Sequence, residues 1–319
     1  MIPPDWLDQA KARIEAHVRQ TPLVFDARRQ FYIKWENRQI TGSFKPRGAF
    51  NKILALETWE RQQGLVCAST GNHGQAVALA AQVGGVPAEV FVGENATALK
   101  VEKMRSLGAR IHAVEGAYGE AESAGLAYAA ENGKTWVSPY NDGHVVAGQG
   151  TIALEILEQL DDKQPVVWLV PVGGGGLISG VAAALSRLAS RPRLIGVQPE
   201  DNAFMHSLFY RGTQAGLEDL PSLADGLTGA VESGSVTVPM VKQAVDEIVL
   251  VSEEEIKHAI AFASHVYHEV VEGSGAVTLA ALLAGKVSAR PAVAIVTGRN
   301  INPELHAQIT ARYGGGIWE

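Results

Sequence analysis

The chain has 319 residues, of which 46% are hydrophobic, and a formal net charge of −7. This hydrophobic content is enough for one large core or two smaller ones. The sequence shows no cluster of basic residues of the kind that binds nucleic acid. A single cysteine, Cys67, excludes an internal disulfide framework and a cysteine-based zinc site. We find no secretory signal and no apolar run long enough to span a membrane, so we expect a soluble cytoplasmic protein.

Predicted strands and helices alternate along most of the chain. The predicted strands are 64–69, 88–92, 109–114, 135–139, 165–172, 193–199, 247–252 and 291–298. The predicted helices are 72–83, 98–108, 119–133, 150–160 and 177–189, with one long helix between the last two strands that starts near Ser252. Alternation with continuous apolar strands indicates parallel sheets covered by helices. At this length we expect an α/β fold with two lobes.

One lysine precedes the first predicted strand in an unusual setting. Residues 41–48 read TGSFKPRG, which places Lys45 between Phe44 and Pro46. Lysines usually lie on solvated faces among charged or helix-forming residues. The glycines and proline here favour a fixed backbone, so Lys45 is a candidate reactive group.

Polar residues crowd the turn between strand 64–69 and helix 72–83. The turn reads STGNHG and comprises Ser69, Thr70, Gly71, Asn72, His73 and Gly74. Backbone N–H groups at a helix start attract anions, so a carboxylate would fit here. The alternative is ordinary capping by Ser, Thr or Asn, with His73 as a structural histidine.

Four glycines follow the apolar strand 165–172. Gly173, Gly174, Gly175 and Gly176 let the backbone approach a ligand, and the helix that follows attracts negative charge, so the turn predicts a phosphate site. The spacing matches neither a dinucleotide fingerprint nor a Walker A loop, which favours a ligand with one phosphate. The alternative is a tight strand–helix turn without a ligand.

A reactive lysine, a phosphate site and a carboxylate site together suggest pyridoxal 5′-phosphate as cofactor. The chain resembles the fold-type II pyridoxal-phosphate enzymes, in the branch of the threonine/serine dehydratases and serine racemases. The resemblance covers nearly the whole chain. It rests on TPL (21–23), KWENRQITGSFKPRGAFNK (34–52), STGNHGQAVALAA (69–81), AGQGTIALEI (147–156), PVGGGGLISG (171–180), LADGL (223–227), EGSGAV (272–277) and TGRN (297–300).

The resemblance implies a role for each candidate residue. Lys45 would be the Schiff-base lysine and would remove the substrate Cα proton, Phe44 would seat the cofactor ring, and Asn72 would bond its 3-hydroxyl. The implied phosphate ligands are Gly173, Gly174, Gly175 and Gly176, and the other cofactor contacts are Gly226, Glu272 and Thr297. The implied substrate ligands are Ser69, Thr70, Gly71, Asn72, His73 and Tyr140. Thr70 also matches the catalytic serine of the racemases, and Tyr140 could instead be a core tyrosine.

The resemblance also implies an architecture and a reaction. It implies a tryptophan synthase β-like fold with a large cofactor-binding domain (1–63 and 142–319), a small α/β domain (64–141) and a homodimer. The implied reaction is β-elimination of a small β-hydroxy amino acid, by default L-threonine or L-serine, to a 2-oxo acid and ammonia. A bulkier substrate such as 3-hydroxyaspartate or phenylserine stays open. The chain could also be a racemase, a β-replacement synthase, or an inactive cofactor-binding sensor.

Three departures from the family pattern lead to further expectations. The segment 22–34 is short, which affects the site entrance or a subunit contact. Gln198 and Phe204 stand near the acids that form a metal site in serine racemases, so we expect no metal there. Arg299 replaces a small residue at the cofactor rim. Because no regulatory domain follows residue 319, we also expect no inhibition by isoleucine.

Overall fold

A computed structural model describes residues 1–69, 71–94, 96, 98–116, 118–160 and 165–313. The strands are β1 Leu23–Asp26, β2 Phe31–Trp35, β3 Leu65–Ala68, β4 Ala88–Gly93, β5 Arg110–Val114, β6 Thr135–Trp136, β7 Val167–Pro171, β8 Arg193–Pro199, β9 Glu247–Val251 and β10 Ala292–Val296. The helices are α1 Trp6–Ile14, α2 Pro46–Leu54, α3 Thr58–Gln63, α4 Asn72–Gly84, α5 Ala98–Ser106, α6 Tyr118–Glu131, α7 Gly143–Gln159, α8 Gly176–Leu185, α9 Phe204–Arg211, α10 Thr237–Ala244, α11 Glu253–Tyr267, α12 Gly273–Leu283 and α13 Pro303–Tyr313.

Within this described part, the strands form two sheets. The larger has the strand order β1-β2-β10-β7-β8-β9 and the smaller has the order β5-β4-β3-β6. Every pairing is parallel except that of β1 with β2, which is antiparallel at the sheet edge. The predicted α/β fold with open parallel sheets is therefore confirmed, with one antiparallel edge strand added.

Helices cover both faces of each sheet. On the larger sheet, α11 and α12 pack on one face, and α7 and α8 pack on the other. On the smaller sheet, α2 and α4 cover one face and α6 the other. Strands covered on both sides lose their contact with water along their whole length, which explains continuous apolar runs such as β7, where all five residues are buried.

Two predicted helix boundaries were wrong. Helix α7 begins at Gly143, seven residues before the predicted start, because the Asp142 side chain accepts hydrogen bonds from the N–H groups of His144 (2.8 Å) and Val145 (3.0 Å). The long C-terminal helix is two helices, α11 and α12. It breaks at His268, whose backbone has the left-handed φ of 57° that ends a helix.

The predicted domain boundaries remain a proposal. The smaller sheet contains the strands β3 to β6, which supports a small domain over 64–141. Helix α2 lies outside that range, yet its residues Ala49, Phe50 and Ile53 pack into the core of the smaller sheet. In the described ranges, none of the helices has the length and apolar character needed to cross a membrane.

Candidate active site

Lys45 lies immediately before the first residue of α2. Its Nζ atom donates a hydrogen bond to the Pro139 carbonyl at 3.2 Å and lies 5.2 Å from the centre of the Phe44 ring. Burial disfavours the charged ammonium and lowers the pKa of Lys45 to about 8, against a smaller opposing effect of the Glu272 carboxylate. A large fraction of this amine is therefore neutral at slightly alkaline pH, as a nucleophile or a base requires.

The backbone around Lys45 is fixed from both sides. The Phe44 N–H donates to the Thr297 carbonyl at 3.0 Å, and Ser43 forms a β-bridge with Gly298. On the other side, the buried Arg47 binds both oxygens of Glu36 at 2.8 Å and Glu155 at 2.9 Å. A bidentate, buried pair of this kind resists displacement, so the loop holds Lys45 in one position.

The glycine turn lies against Tyr140. A Cβ atom on Gly174 would fall 2.5 Å from the Tyr140 ring atoms Cε1 and Cγ, and Gly175 has a φ of 86°. In the part of the chain that the structure describes, the N–H groups of Gly173, Gly174 and Gly175 donate no hydrogen bond. Unpaired N–H groups before the start of α8 suit an anion, and the phosphate site at this turn stays a prediction.

Tyr140 is held at both ends. Its ring covers the glycine turn, and its hydroxyl accepts the N–H of Glu232 at 2.9 Å. Burial raises the pKa of the Tyr140 phenol to about 12, and the nearby carboxylates of Glu122 and Glu232 add to the rise. The phenol therefore stays neutral at physiological pH. It is also next in the chain to Pro139, whose carbonyl contacts Lys45.

The described residues of the turn before α4 lie near Lys45, and the His73 ring is held in the interior. The Ser69 hydroxyl accepts the Gly71 N–H at 3.1 Å, and the space beside Gly71 is open. The His73 ring is buried and contacts the Val137 carbonyl at 2.8 Å, and burial lowers its pKa to about 3. His73 is thus a neutral ring whose Nε2 atom donates to the Val137 carbonyl. Thr70 lies outside the described residues.

Glu272, which precedes α12, is linked to the start of α4 through Asn72. The Asn72 Nδ2 atom donates to Glu272 Oε1 at 2.7 Å, and the Asn300 N–H donates to Glu272 Oε2 at 3.0 Å. Burial, followed by the charge of Asp225, raises the pKa of Glu272 to about 7. The side chain of Asn300 also donates to Asn72 Oδ1 at 2.6 Å.

Thr297 and Gly226 complete the large-sheet side of the cleft through Ser274. The Thr297 hydroxyl is buried and donates to the Ser274 carbonyl at 3.3 Å. The Gly226 N–H donates to the Ser274 hydroxyl at 2.9 Å.

The candidate residues follow the carboxyl ends of parallel strands in both sheets. The glycine turn follows β7 and Thr297 follows β10, while Ser69 follows β3 and Tyr140 comes after β6. Ligand sites of open α/β sheets lie at this edge.

Comparisons with known proteins show the family to which this chain belongs. A family model described as pyridoxal-phosphate dependent enzyme matches residues 14–298. The chain belongs to the pyridoxal-phosphate-dependent enzymes. The predicted family and cofactor are therefore confirmed.

Relatives of this pyridoxal-phosphate-dependent enzyme align over nearly its whole length. An L-threonine ammonia-lyase of Thermotoga maritima is 42% identical over 312 residues, which span 96% of this chain and 77% of the relative. Among solved structures, maize serine racemase has 31% identity and a TM-score of 0.89, with 98% of each chain covered. The processed form of threonine deaminase isoform 2 from Solanum lycopersicum has 31% identity and a TM-score of 0.86, with 98% of this chain and 94% of that chain covered.

The residues present fit pyridoxal phosphate. The unpaired N–H groups of the glycine turn suit a phosphate, and the Lys45 amine suits an aldehyde. A side chain on Gly174 would occupy the position of the Tyr140 ring and disturb this turn.

Three residues of the site were missed by sequence reasoning, namely Arg47, Ser274 and Asn300. All three lie inside motifs that carried the family resemblance, TGSFKPRG, EGSGAV and TGRN. Their partners are distant in the chain, as Arg47 and Glu155 illustrate, so no local pattern identifies their roles.

Two of the family departures have a structural setting. The Gln198 Oε1 atom accepts the N–H of His206 at 2.9 Å, and Phe204 is buried in the core. The absence of a metal at the position of the racemase metal site stays a prediction. Arg299 is exposed and packs its side chain near Gly42.

The lowered pKa of Lys45 gives a direct prediction for the cofactor-free protein. Trace acetylation followed by peptide mass spectrometry should label Lys45 half-maximally near pH 8, because only the neutral amine reacts. A free lysine reaches half-maximal labelling at pH ~10.4. The exposed Lys103 in the same digest serves as the reference for reagent reactivity. A half-maximum for Lys45 near pH 10 would show that burial does not destabilise its charged form.

Proposed function

We propose that the chain is a pyridoxal-phosphate-dependent ammonia-lyase that converts L-threonine or L-serine to a 2-oxo acid and ammonia. The observation that carries the proposal is the position of the Lys45 amine. It lies against Pro139 and Phe44 in the cleft that also holds the glycine turn and the start of α4. The L-threonine ammonia-lyase activity of the Thermotoga maritima relative supports the same reaction here.

The chain's own groups divide the binding tasks. Gly173 to Gly176 would hold the phosphate through backbone N–H groups, Phe44 would pack against the cofactor ring, and the Asn72 amide would donate to its 3-hydroxyl. Gly226, Glu272 and Thr297 line the remaining edge. The turn Ser69–His73 holds the substrate carboxylate through the backbone N–H groups at the start of α4.

Lys45 performs the proton transfer. When bound, the cofactor withdraws electrons from the substrate Cα and so makes its Cα–H bond acidic. The neutral Lys45 amine accepts that proton, which its lowered pKa favours near neutral pH. Glu272 lies near enough to raise the pKa of Lys45 and thereby stabilises the ammonium that results.

Racemisation is the second candidate, because maize serine racemase has the same fold over 98% of both chains. The third candidate function is β-replacement, and the fourth is that of an inactive cofactor-binding sensor. The reactions are separated by their products from L-serine: ammonia and pyruvate for a lyase, D-serine for a racemase, and a thioether amino acid with an added thiol for a synthase. We expect ammonia and pyruvate to exceed D-serine. D-serine in excess would make the protein a racemase, and no product from a cofactor-loaded protein would favour the sensor.

The wall around Tyr140 predicts which substrates are rejected. Tyr140 packs on the glycine turn and follows Pro139, whose carbonyl accepts a hydrogen bond from Lys45. The carboxylates of Glu122 and Glu232 both act on the Tyr140 phenol. A second carboxylate on a substrate side chain would meet like charge there. We expect kcat/KM for L-threonine to exceed that for 3-hydroxy-L-aspartate by at least about tenfold, or about 1.4 kcal/mol.

The control for this preference is the variant Glu122→Gln, assayed with both substrates at pH 8. Removal of one negative charge should raise kcat/KM for 3-hydroxyaspartate. The preference for L-threonine over 3-hydroxyaspartate should therefore become smaller. A wild type that prefers 3-hydroxyaspartate would contradict this description of the pocket.

We also propose that the protein is a homodimer of the cytoplasm. The family resemblance supports the dimer. Light scattering of the purified chain would give twice the monomer mass if this is right, and the monomer mass if it is wrong.

A further inference from the structure

Asn300 connects three separate segments at the edge of the site. Its Nδ2 atom donates to the Thr41 carbonyl at 2.9 Å and to Asn72 Oδ1 at 2.6 Å. Its backbone N–H donates to Glu272 Oε2 at 3.0 Å. Asn300 therefore contacts the loop that carries Lys45, the start of α4 and the residue before α12.

These contacts determine which way the Asn72 amide faces. The oxygen and nitrogen of an amide have nearly the same shape, so only hydrogen bonds decide between the two orientations. Asn300 uses both hydrogens of its NH₂ group, one on Thr41 and one on Asn72. Asn72 must therefore present its oxygen to Asn300, and its NH₂ group to Glu272 Oε1 at 2.7 Å.

The consequence is a fixed donor in the cleft. One hydrogen of the Asn72 NH₂ group binds Glu272, and the second is left for a ligand. In the opposite orientation, the Asn72 oxygen would face the Glu272 carboxyl group, and two acceptors would repel each other whenever that group is ionised.

We propose that Asn300 is a positioning residue that orients the Asn72 amide and so presents its NH₂ group to the cofactor. The bond from Asn72 to Glu272 also links helix α4 to the residue before α12. The inference rests on the proposed role of Asn72 in cofactor binding. It does not depend on which amino acid is the substrate.

The test measures the dissociation constant of pyridoxal phosphate by absorbance and fluorescence titration for the variants Asn300→Ala and Asn300→Asp. Removal of the donor should weaken binding about tenfold. The aspartate should weaken it further, about a hundredfold, because its oxygens attract the Asn72 NH₂ group and turn it away from Glu272. Asn132→Ala, at an exposed position at the end of α6, should bind as the wild type does.

A double-mutant cycle decides whether Asn300 acts through Asn72. In an Asn72→Ala background, Asn300→Ala should change the dissociation constant less than twofold. An equal tenfold loss in both backgrounds, or a milder effect of the isosteric Asp than of Ala, would mean that Asn300 only fills space, and would overturn the proposal. Asn300→Ser enters the same cycle if the alanine variant does not fold.

This readout is separate from the proposed reaction. A wild type that binds the cofactor but releases no 2-oxo acid would contradict the lyase proposal and leave the Asn300 cycle fully interpretable. Weak cofactor binding by the Asn300 variants, together with an active wild type, would support both the lyase proposal and the positioning role of Asn300.

Discussion

Lys45→Ala will abolish the release of 2-oxo acid from L-threonine, with a loss of at least about 10³-fold in kcat. The variant removes the amine that attaches the cofactor and accepts the Cα proton, and no other described lysine contacts Phe44 or Pro139. Borohydride reduction should add the cofactor mass to the peptide that contains residue 45 in the wild type and to no peptide of the variant.

The variant should remain folded. Lys45 contributes one hydrogen bond to Pro139, whereas the loop is held by Arg47 and by the pairing of Ser43 with Gly298. Lys103→Ala, which removes an exposed lysine of α5, is the matched control and should keep wild-type activity. Activity within tenfold of wild type in a folded Lys45→Ala protein would rule out Lys45 as the catalytic base.

Gly174→Ala will weaken cofactor binding by roughly ten- to a hundredfold, since overpacking costs typically about 1–3 kcal/mol. The new Cβ atom would lie 2.5 Å from atoms of the Tyr140 ring. That ring cannot easily move because its hydroxyl accepts the Glu232 N–H. The glycine turn must shift instead, and its N–H groups then leave the phosphate position.

Gly119→Ala is the matched control for this substitution. Its Cβ would meet open space in helix α6, so the change should be neutral or slightly stabilising. The double variant Gly174→Ala with Tyr140→Ala should recover part of the cofactor affinity because the clash is gone. Unchanged binding by the single variant would show that the turn does not need glycine at 174.

Five inner strands, β3, β4, β7, β8 and β10, could be predicted because helices bury both of their faces. Continuous apolar runs then appear in the sequence, as in β7. Strand β2 was missed although all five of its residues are buried, because Lys34 interrupts its apolar run. The charge is tolerated because Lys34 Nζ donates to Glu155 Oε2 at 2.5 Å, a partner 121 residues away in the chain.

The candidate site residues stay predictions, and the residues alone pointed to the positions where local composition is unusual. Lys45 and the four glycines stand out among their neighbours. Asn300 does not stand out, since its role depends on Asn72 and Glu272, which reach it only through the tertiary fold. The setting of His73 was also hidden, because nothing in STGNHG indicates that its ring contacts Val137.

The most direct test of the central claim is a product assay with the cofactor-loaded chain and L-threonine. We expect 2-oxobutanoate and ammonia in equal amounts, with the threonine that remains still in the L form. A cofactor-loaded protein that releases neither product would contradict the ammonia-lyase proposal.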